Sequence, residues 1–462
     1  MTNFHGIFLN DKRQRPGVPV LIKGATILAM AAPGDDLERG DILVEGEVIS
    51  NIAPSISCSD ALVIDGAGQI ALPGFQDTHR HSWEGQLRRI IPSGDIEDYS
   101  CTTHRDFAPH YAPEDVYVGT LLTALHAIAS GITTILDYSH NSQSAEHCHA
   151  AIDALEQSGI RAIYACSAPS ILGTAKTTCA WPDIIAELHG QRFAVMDGLL
   201  TMRVAGTPST LFEDFFALAD RLSIGVSIDA VAGDKSSEWI LDAERKGWLG
   251  PDRTLIHCTG ISDAAWKAIA RTGATISLCP QADTQYVIGE PPLRQALAHG
   301  IRPSLSVDDD MGLASDMWTQ MRVLSASYRQ SYGAFFKGAY PDRAQARKLT
   351  AYDLLDFATT QGAIANGLSD RTGRLVAGMA ADIILIDGED LNNMPLNNAY
   401  GSVVHGADVS NVSTVLVGGI VRKRNGQLTG VNLNALRAAV RQSRDRLVQL
   451  VDRDFAILDR SA

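Results

Sequence analysis

The chain is short of several things, and each shortage closes off a class of protein. Its seven cysteines form no Cys-x-x-Cys or other close pair, and their odd number in a chain of 462 residues argues against a disulfide-stapled scaffold, so a reducing compartment is the simpler setting. No run of 18 apolar residues occurs, which excludes an expected membrane-spanning helix. The opening stretch MTNFHGIFLNDKRQRPGVP is too polar and too broken by proline for a secretory signal, so a cytoplasmic location is expected. Basic residues are in deficit, 39 Lys and Arg against 53 Asp and Glu for a net charge of −14, and this disfavours nucleic acid and anionic membrane as partners. Small neutral or cationic molecules fit better, and a homo-oligomer is compatible with the composition. No glycine-rich phosphate loop follows the first barrel-type strand, which removes the main support for an open nucleotide-binding sheet.

What remains is a globular composition, 45% hydrophobic and 20% charged, in a chain longer than one ordinary core absorbs. Residues 19–70 alternate short β-rich runs with turns (VLIKGATILAM, GDILVEGEVISNIA, ALVIDGAGQIALPG), and residues 373–428 have the same texture, including an Asn-Gly turn. Two such pieces at opposite ends predict one small β-sandwich assembled from both. Between them, strand-like and helix-like segments alternate. The strands are expected at 70–76, 131–138, 160–166, 196–202, 223–229, 253–257, 274–279 and 301–307. Helical signals separate them, as in APEDVYVGTLLTALHAIASG and in SDAAWKAIARTG with its Ser-Asp start and Gly stop. Eight strands alternating with helices predict a (β/α)8 TIM barrel, with a doubly wound sheet as the competing topology. The expected division is 1–70 for the first part of the sandwich, 71–369 for the barrel, 370–430 for the return to the sandwich, and 431–462 for a closing amphipathic helix.

In such a barrel, polar residues at the carboxyl ends of strands face the active site. The first strand ends in Asp77-Thr78-His79-Arg80-His81, where strand alternation turns both imidazoles one way and Arg80 the other. The second ends in Asp137-Tyr138-Ser139-His140, the sixth in His257-Cys258, and the eighth in Asp308-Asp309-Asp310, while the seventh leads into Pro280-Gln281-Ala282-Asp283. Each has an ordinary structural reading alone: a hydrogen-bonded histidine, a solvated turn, a helix cap. Two histidines one residue apart, then a later histidine, then an aspartate, each closing a strand in that order, form a more specific set.

With those stretches in view (LPGFQDTHRHSWEGQLR, ASGITTILDYSHN, TLIHCTGISDAAWKAIARTGATISLCP, RPSLSVDDDMGLASDMWTQMR and GRLVAGMAADIILID), the sequence resembles the amidohydrolase superfamily, in its cytosine-deaminase-like and chlorohydrolase-like branch. The resemblance runs from about residue 19 to 430. It implies a metal-bearing hydrolase of C–N or related bonds, with His79 and His81 as ligands of one divalent ion. Zinc is the first choice, with iron or manganese compatible. Asp308 would be a ligand that also manages the proton of the attacking water, and His257 would orient or polarise the substrate. His140 and Asp283 would line the pocket. Trp83 reads either as a stacking surface for a flat ring or as a packed loop aromatic, and Arg203 as a partner for an anionic group or as a structural salt bridge. Asp309 and Asp310 read as caps of the next helix or as partners of a cationic group.

One feature departs from the family. Relatives carry a metal-binding histidine at the end of strand five, and the matching stretch IGVSIDAVAGD has none; Asp229 is the nearest substitute, with Ser227 two residues earlier on the same strand face. Two histidines and a carboxylate suffice chemically for one ion, helped by Asp229 or His257. The alternative is loss of the metal and a metal-independent lyase or isomerase using Asp308 and His257. A catalytically dead binding protein is the third reading, disfavoured by the retained set.

Overall fold

The computed structural model describes residues 6–8, 17–169, 182–195, 198–331 and 348–451. Parts of the expected first segment, of the fourth strand (196 and 197) and of the closing helix beyond 451 lie outside them.

Eight parallel strands form the barrel: β1 (Phe75–Arg80), β2 (Ile132–Ser139), β3 (Arg161–Ser167), β4 (Leu200–Gly206), β5 (Gly225–Asp229), β6 (Arg253–Ile256), β7 (Thr275–Leu278) and β8 (Ser304–Leu305). Neighbours in sequence pair in order, each in parallel register. The ring is closed just beyond β8, where Asp308 bridges Arg80 in parallel. The seam consists of two backbone hydrogen bonds: Asp308 N–H to His79 O at 3.0 Å, and His81 N–H to Asp308 O at 2.7 Å. Helices follow the strands as the pattern predicts. In Asp263–Thr272, Ser262 Oγ accepts from Ala265 N and Gly273 closes the helix at φ +73, as its start and stop signals require.

Strand boundaries differ from expectation in two instructive places. The continuous apolar run 70–76 is two strands, because Pro73-Gly74 ends one sheet and begins another. Gln69–Pro73 pairs in the outer sheet, whereas Phe75 opens the barrel. A side chain on Gly74 would sit 2.1 Å from the γ atoms of Thr133, so the crossing needs glycine there. The fourth strand runs four residues later than its pattern suggests, since the charged Arg203 lies inside it rather than marking its exit.

The outer strands form one continuous nine-stranded sheet, drawn from Val20–Asp65 and Gln69–Pro73 at one end of the chain and Ile383–Leu428 at the other. Alternation in its central strands serves two cores. Ile383 and Leu385 join Ala71 and Leu416 in the sheet's own core, while Ile384 and Ile386 join Ile70, Leu72 and Val415 against the barrel. The closing helix Leu433–Leu450 packs on the helix Pro113–Ala129, where Ser443 Oγ donates to Asp115 at 2.7 Å and Arg446 pairs with the same carboxylate.

A buried ion network stands beneath the seam. Arg80 is fully buried between Asp77 (3.3 Å) and Asp310 (3.1 Å), and Arg88 reaches Asp310 at 2.7 Å. Asp310 therefore neither caps the next helix nor faces a ligand. Asp316 performs the capping, accepting from Thr319 N at 2.8 Å. Burial alone would raise the Asp310 pKa, but the two guanidinium groups hold it far below the usual carboxylate range. Asp310→Asn leaves the buried Arg80 and the half-buried Arg88 short of a partner and is expected to cost about 3 kcal/mol in urea unfolding at neutral pH. Because the folded-state pKa is depressed, the gap between wild type and variant should be full above the unfolded value of 3.8 and should narrow as pH falls below it.

Candidate active site

Seam closure puts three expected residues in one place. His79 Nε2 lies 3.2 Å and His81 Nε2 3.3 Å from the same oxygen, Asp308 Oδ1. His257, from the end of β6, brings its Nε2 to 3.6 Å from Asp308 Oδ2 and 3.8 Å from Asp229 Oδ1. All of these except Asp229 are buried, and the Asp229 side chain is 20% exposed.

The protonation pattern shows what this cluster asks for. His81 Nδ1 donates to the Tyr138 carbonyl at 3.1 Å, and His257 Nδ1 donates to Asp283 Oδ1 at 2.8 Å. With their protons committed there, neutral rings aim Nε2 lone pairs at carboxylate oxygens. Asp229 Oδ1 is buried and has no hydrogen-bond partner among the described residues. Lone pairs facing lone pairs call for a positive charge between them. With no ion bound, the carboxylates draw protons to the rings instead, so that a proton supplies the positive charge: burial pulls the His81 pKa down, but Asp308 and Glu84 overcome it and bring it up to about 9. Burial pushes Asp308 up, and His79 and His81 outweigh it and hold Asp308 well below the ordinary range. Two or three imidazoles with one or two carboxylates fit a single divalent ion.

Cys279, at the end of β7, was not singled out by the sequence, since it lacks a paired cysteine. Its sulfur belongs to a group with ligand atoms of His79, His257 and Asp308, all within 4.8 Å of one another. Its position at a strand end was the signal available.

Other expected site residues are placed as supports. Trp83 is buried in the short helix Ser82–Leu87, and its indole N–H donates to His140 Nδ1 at 3.0 Å, so it offers no open face to a flat ring. His140 stacks on His81 with ring centroids 3.8 Å apart. Asp283 lies behind His257 rather than on an open wall. Arg203 is remote from the cluster: it sits beside Gly225 at the start of β5 and donates to Thr254 at 2.9 Å and Ser227 at 3.4 Å, in the lower barrel. Ser227 is thereby turned to Arg203, and Asp229 is the residue that strand five gives to the cluster. Glu84, Tyr99 and Tyr286, none of them marked by the strand-end pattern, complete the wall. Tyr99 Oη donates to Glu84 Oε1 at 2.9 Å, and Tyr286 Oη donates to Asp309 Oδ1 at 2.7 Å. Burial raises Glu84 well above its usual range, and burial with Asp308 brings Asp309 up to about 7.

A closed (β/α)8 barrel with histidines, an aspartate and a buried cation site at its carboxyl end defines a class of hydrolytic enzymes. The chain belongs to the amidohydrolase family, whose model matches residues 70–421, and it is a hydrolase acting on C–N bonds. Among curated proteins it is similar to a 5-methylthioadenosine/S-adenosylhomocysteine deaminase of Pelotomaculum thermopropionicum, 26% identical over 94% of this chain and 99% of that one. A 5'-deoxyadenosine deaminase of Methanosarcina barkeri is also 26% identical, over 87% and 92%. Among solved structures, a zinc-bound adenosine deaminase from Xanthomonas campestris matches with a TM-score of 0.81 at 20% identity, covering 94% of this chain and all of its own. A mutant atrazine chlorohydrolase from Arthrobacter aurescens, complexed with zinc and atraton, matches at 0.80 and 22%, covering 92% and 100%.

Since His257 depends on Asp283 for its orientation, Asp283→Asn, which keeps the side-chain shape and an oxygen for His257 Nδ1, should lower kcat/KM about 10- to 100-fold with only a small change in melting temperature. Steady-state kinetics beside a thermal melt check both halves.

Proposed function

We propose that the protein is a metal-dependent hydrolytic deaminase of a purine-like or related small heterocycle, using one divalent ion, most simply zinc, held by His79, His81 and Asp308 with Asp229 as the strand-five ligand. The observation that carries the reading is the meeting of His79 and His81 on one oxygen of Asp308. The deaminases among its relatives supply the reaction type. Bound there, the ion would lower the pKa of a coordinated water to around 7 and so supply the nucleophile at neutral pH.

The residues of the chain do the rest. Asp308 would accept the proton of the attacking water and pass it to the departing nitrogen, first as general base and then as general acid. His257, fixed by Asp283, orients and polarises the carbon–nitrogen group under attack. His140 is fixed in turn by Trp83, whose N–H occupies Nδ1; the neutral ring then carries its hydrogen on Nε2, a donor without a partner among the described residues. The buried position of these groups strengthens each interaction by excluding water. No helix among the described residues is long and apolar enough to cross a membrane, in keeping with a cytoplasmic enzyme acting on a small molecule.

Elemental analysis of the purified protein tests this directly. About one equivalent of zinc, iron or manganese per chain is expected, lost in the His79→Ala, His81→Ala double variant. Asp308→Asn should reduce ammonia release from an active substrate by at least a thousandfold with the fold intact. Full activity after removal of all metal would instead point to the metal-independent lyase or isomerase.

A further inference from the structure

Next to the cation site stand two carboxylates that the reaction above does not use. Glu84 is fully buried and Asp309 is 1% exposed. Each is half satisfied in the same way. Glu84 Oε1 accepts from Tyr99 Oη and Asp309 Oδ1 from Tyr286 Oη and from Met311 N, while Glu84 Oε2 and Asp309 Oδ2 are buried with no hydrogen-bond partner among the described residues. The two tyrosine rings that hold them lie against each other, with centroids 5.5 Å apart, and Tyr99 also stacks over His81 at 6.5 Å. The two half-used carboxylates are thus linked to one another and to a proposed metal ligand through aromatic contacts. A buried carboxylate oxygen left unpaired is costly, so a pair of them fixed by tyrosines is a poor arrangement for packing alone. It is a good arrangement for a ligand with N–H bonds.

We propose that Glu84 and Asp309 form the specificity-determining acceptor pair of this site, receiving a planar group with at least two N–H donors, such as a ring amino group or an amidinium, on the part of the substrate that is not attacked. The inference deepens the deaminase reading and rests on it for the position of the attacked carbon. The hydroxyls of Tyr99 and Tyr286 orient the carboxylates, leaving one oxygen of each for the ligand. An adenosine-type ring, with N9 bonded to the sugar, offers no N–H donor beyond the amino group that leaves. The pair therefore favours rings with an additional amino substituent over the plain adenine compounds.

The test compares two probes that differ by one amino group, adenosine and 2-aminoadenosine, on the metal-loaded full-length protein, both by kcat/KM and by ligand-induced shifts in melting temperature. Wild type should prefer the amino-bearing probe by roughly tenfold, the upper range of one added hydrogen bond. Glu84→Gln keeps the shape and the acceptor for Tyr99 but puts an amide N–H donor where Oε2 would accept, and should bring the ratio of the two probes close to one while bound metal stays at the wild-type level. Tyr99→Phe, which frees Glu84 Oε1, should reduce the same ratio by a smaller factor and serves if the Gln variant does not fold. Equal treatment of the two probes by wild type, equal losses for both in the variants, or no binding of either would overturn the inference. Discrimination in the melting shifts without any ammonia release would uphold it and overturn the deaminase reading alone.

Discussion

The site depends on how the barrel closes. Strand β8 is only two residues long, too short to hold the ring shut by itself, and the seam is completed by Asp308 exchanging backbone hydrogen bonds with His79 and His81. The same three residues supply the side chains of the cation cluster, so closure of the fold and assembly of the site are one event. Segments more than two hundred positions apart are brought to within hydrogen-bond distance by a pairing that the barrel needs in any case. This is also why the geometry tolerates so much buried polarity. The carboxylate and its imidazoles are held by backbone on both sides and cannot relax away from one another.

Several strand ends near the seam leave regular β conformation. His257, Cys258 and Asp308 all have left-handed backbone, with φ of +63, +58 and +79. Such residues cost on the order of 1 kcal/mol or more each and persist only where the surroundings fix them. Here the surroundings can be named: the seam bonds hold Asp308, and Asp283 with the Ser277 carbonyl, which accepts from His257 N, holds His257. The turn at Asp308 lets three consecutive aspartates serve three separate environments. Asp308 faces the imidazoles, Asp309 faces Tyr286, and Asp310 faces Arg80 and Arg88. An extended backbone would have sent Asp308 and Asp310 the same way.

That division explains how much was legible beforehand. The alternation of strand and helix gave away the barrel, and the strand-end rule found His79, His81, His257 and Asp308, because both are local patterns with a fixed relation to the fold. What the rule could not find was anything whose role depends on a contact across the barrel. Arg203 read equally as a partner for an anionic group or as a structural residue, and its guanidinium is absorbed by Ser227 and Thr254 inside the wall. Trp83 and Asp283 were rightly drawn to the neighbourhood, but the structure spends both on orienting histidines. Glu84 was passed over because it follows the strand end, inside the short helix after His81, and Cys279 because a lone cysteine carries no ligand spacing, although it closes a strand.

The strand-five difference has a consequence in charge. With three imidazoles and one carboxylate, as the family pattern implies, a divalent ion would leave its site with one net positive charge. On the proposed ligand set, Asp229 in place of the third imidazole would bring that total to zero and replace a nitrogen donor by an oxygen, which would favour harder ions such as manganese or iron more than the family pattern does. A neutral centre repels cationic groups less, and Glu84 and Asp309 stand beside it with two free oxygens. The exchange of one residue at strand five and the proposed acceptor pair would therefore push in the same direction, towards a substrate that brings positive charge or N–H bonds to the site. A third imidazole at strand five would oppose that preference.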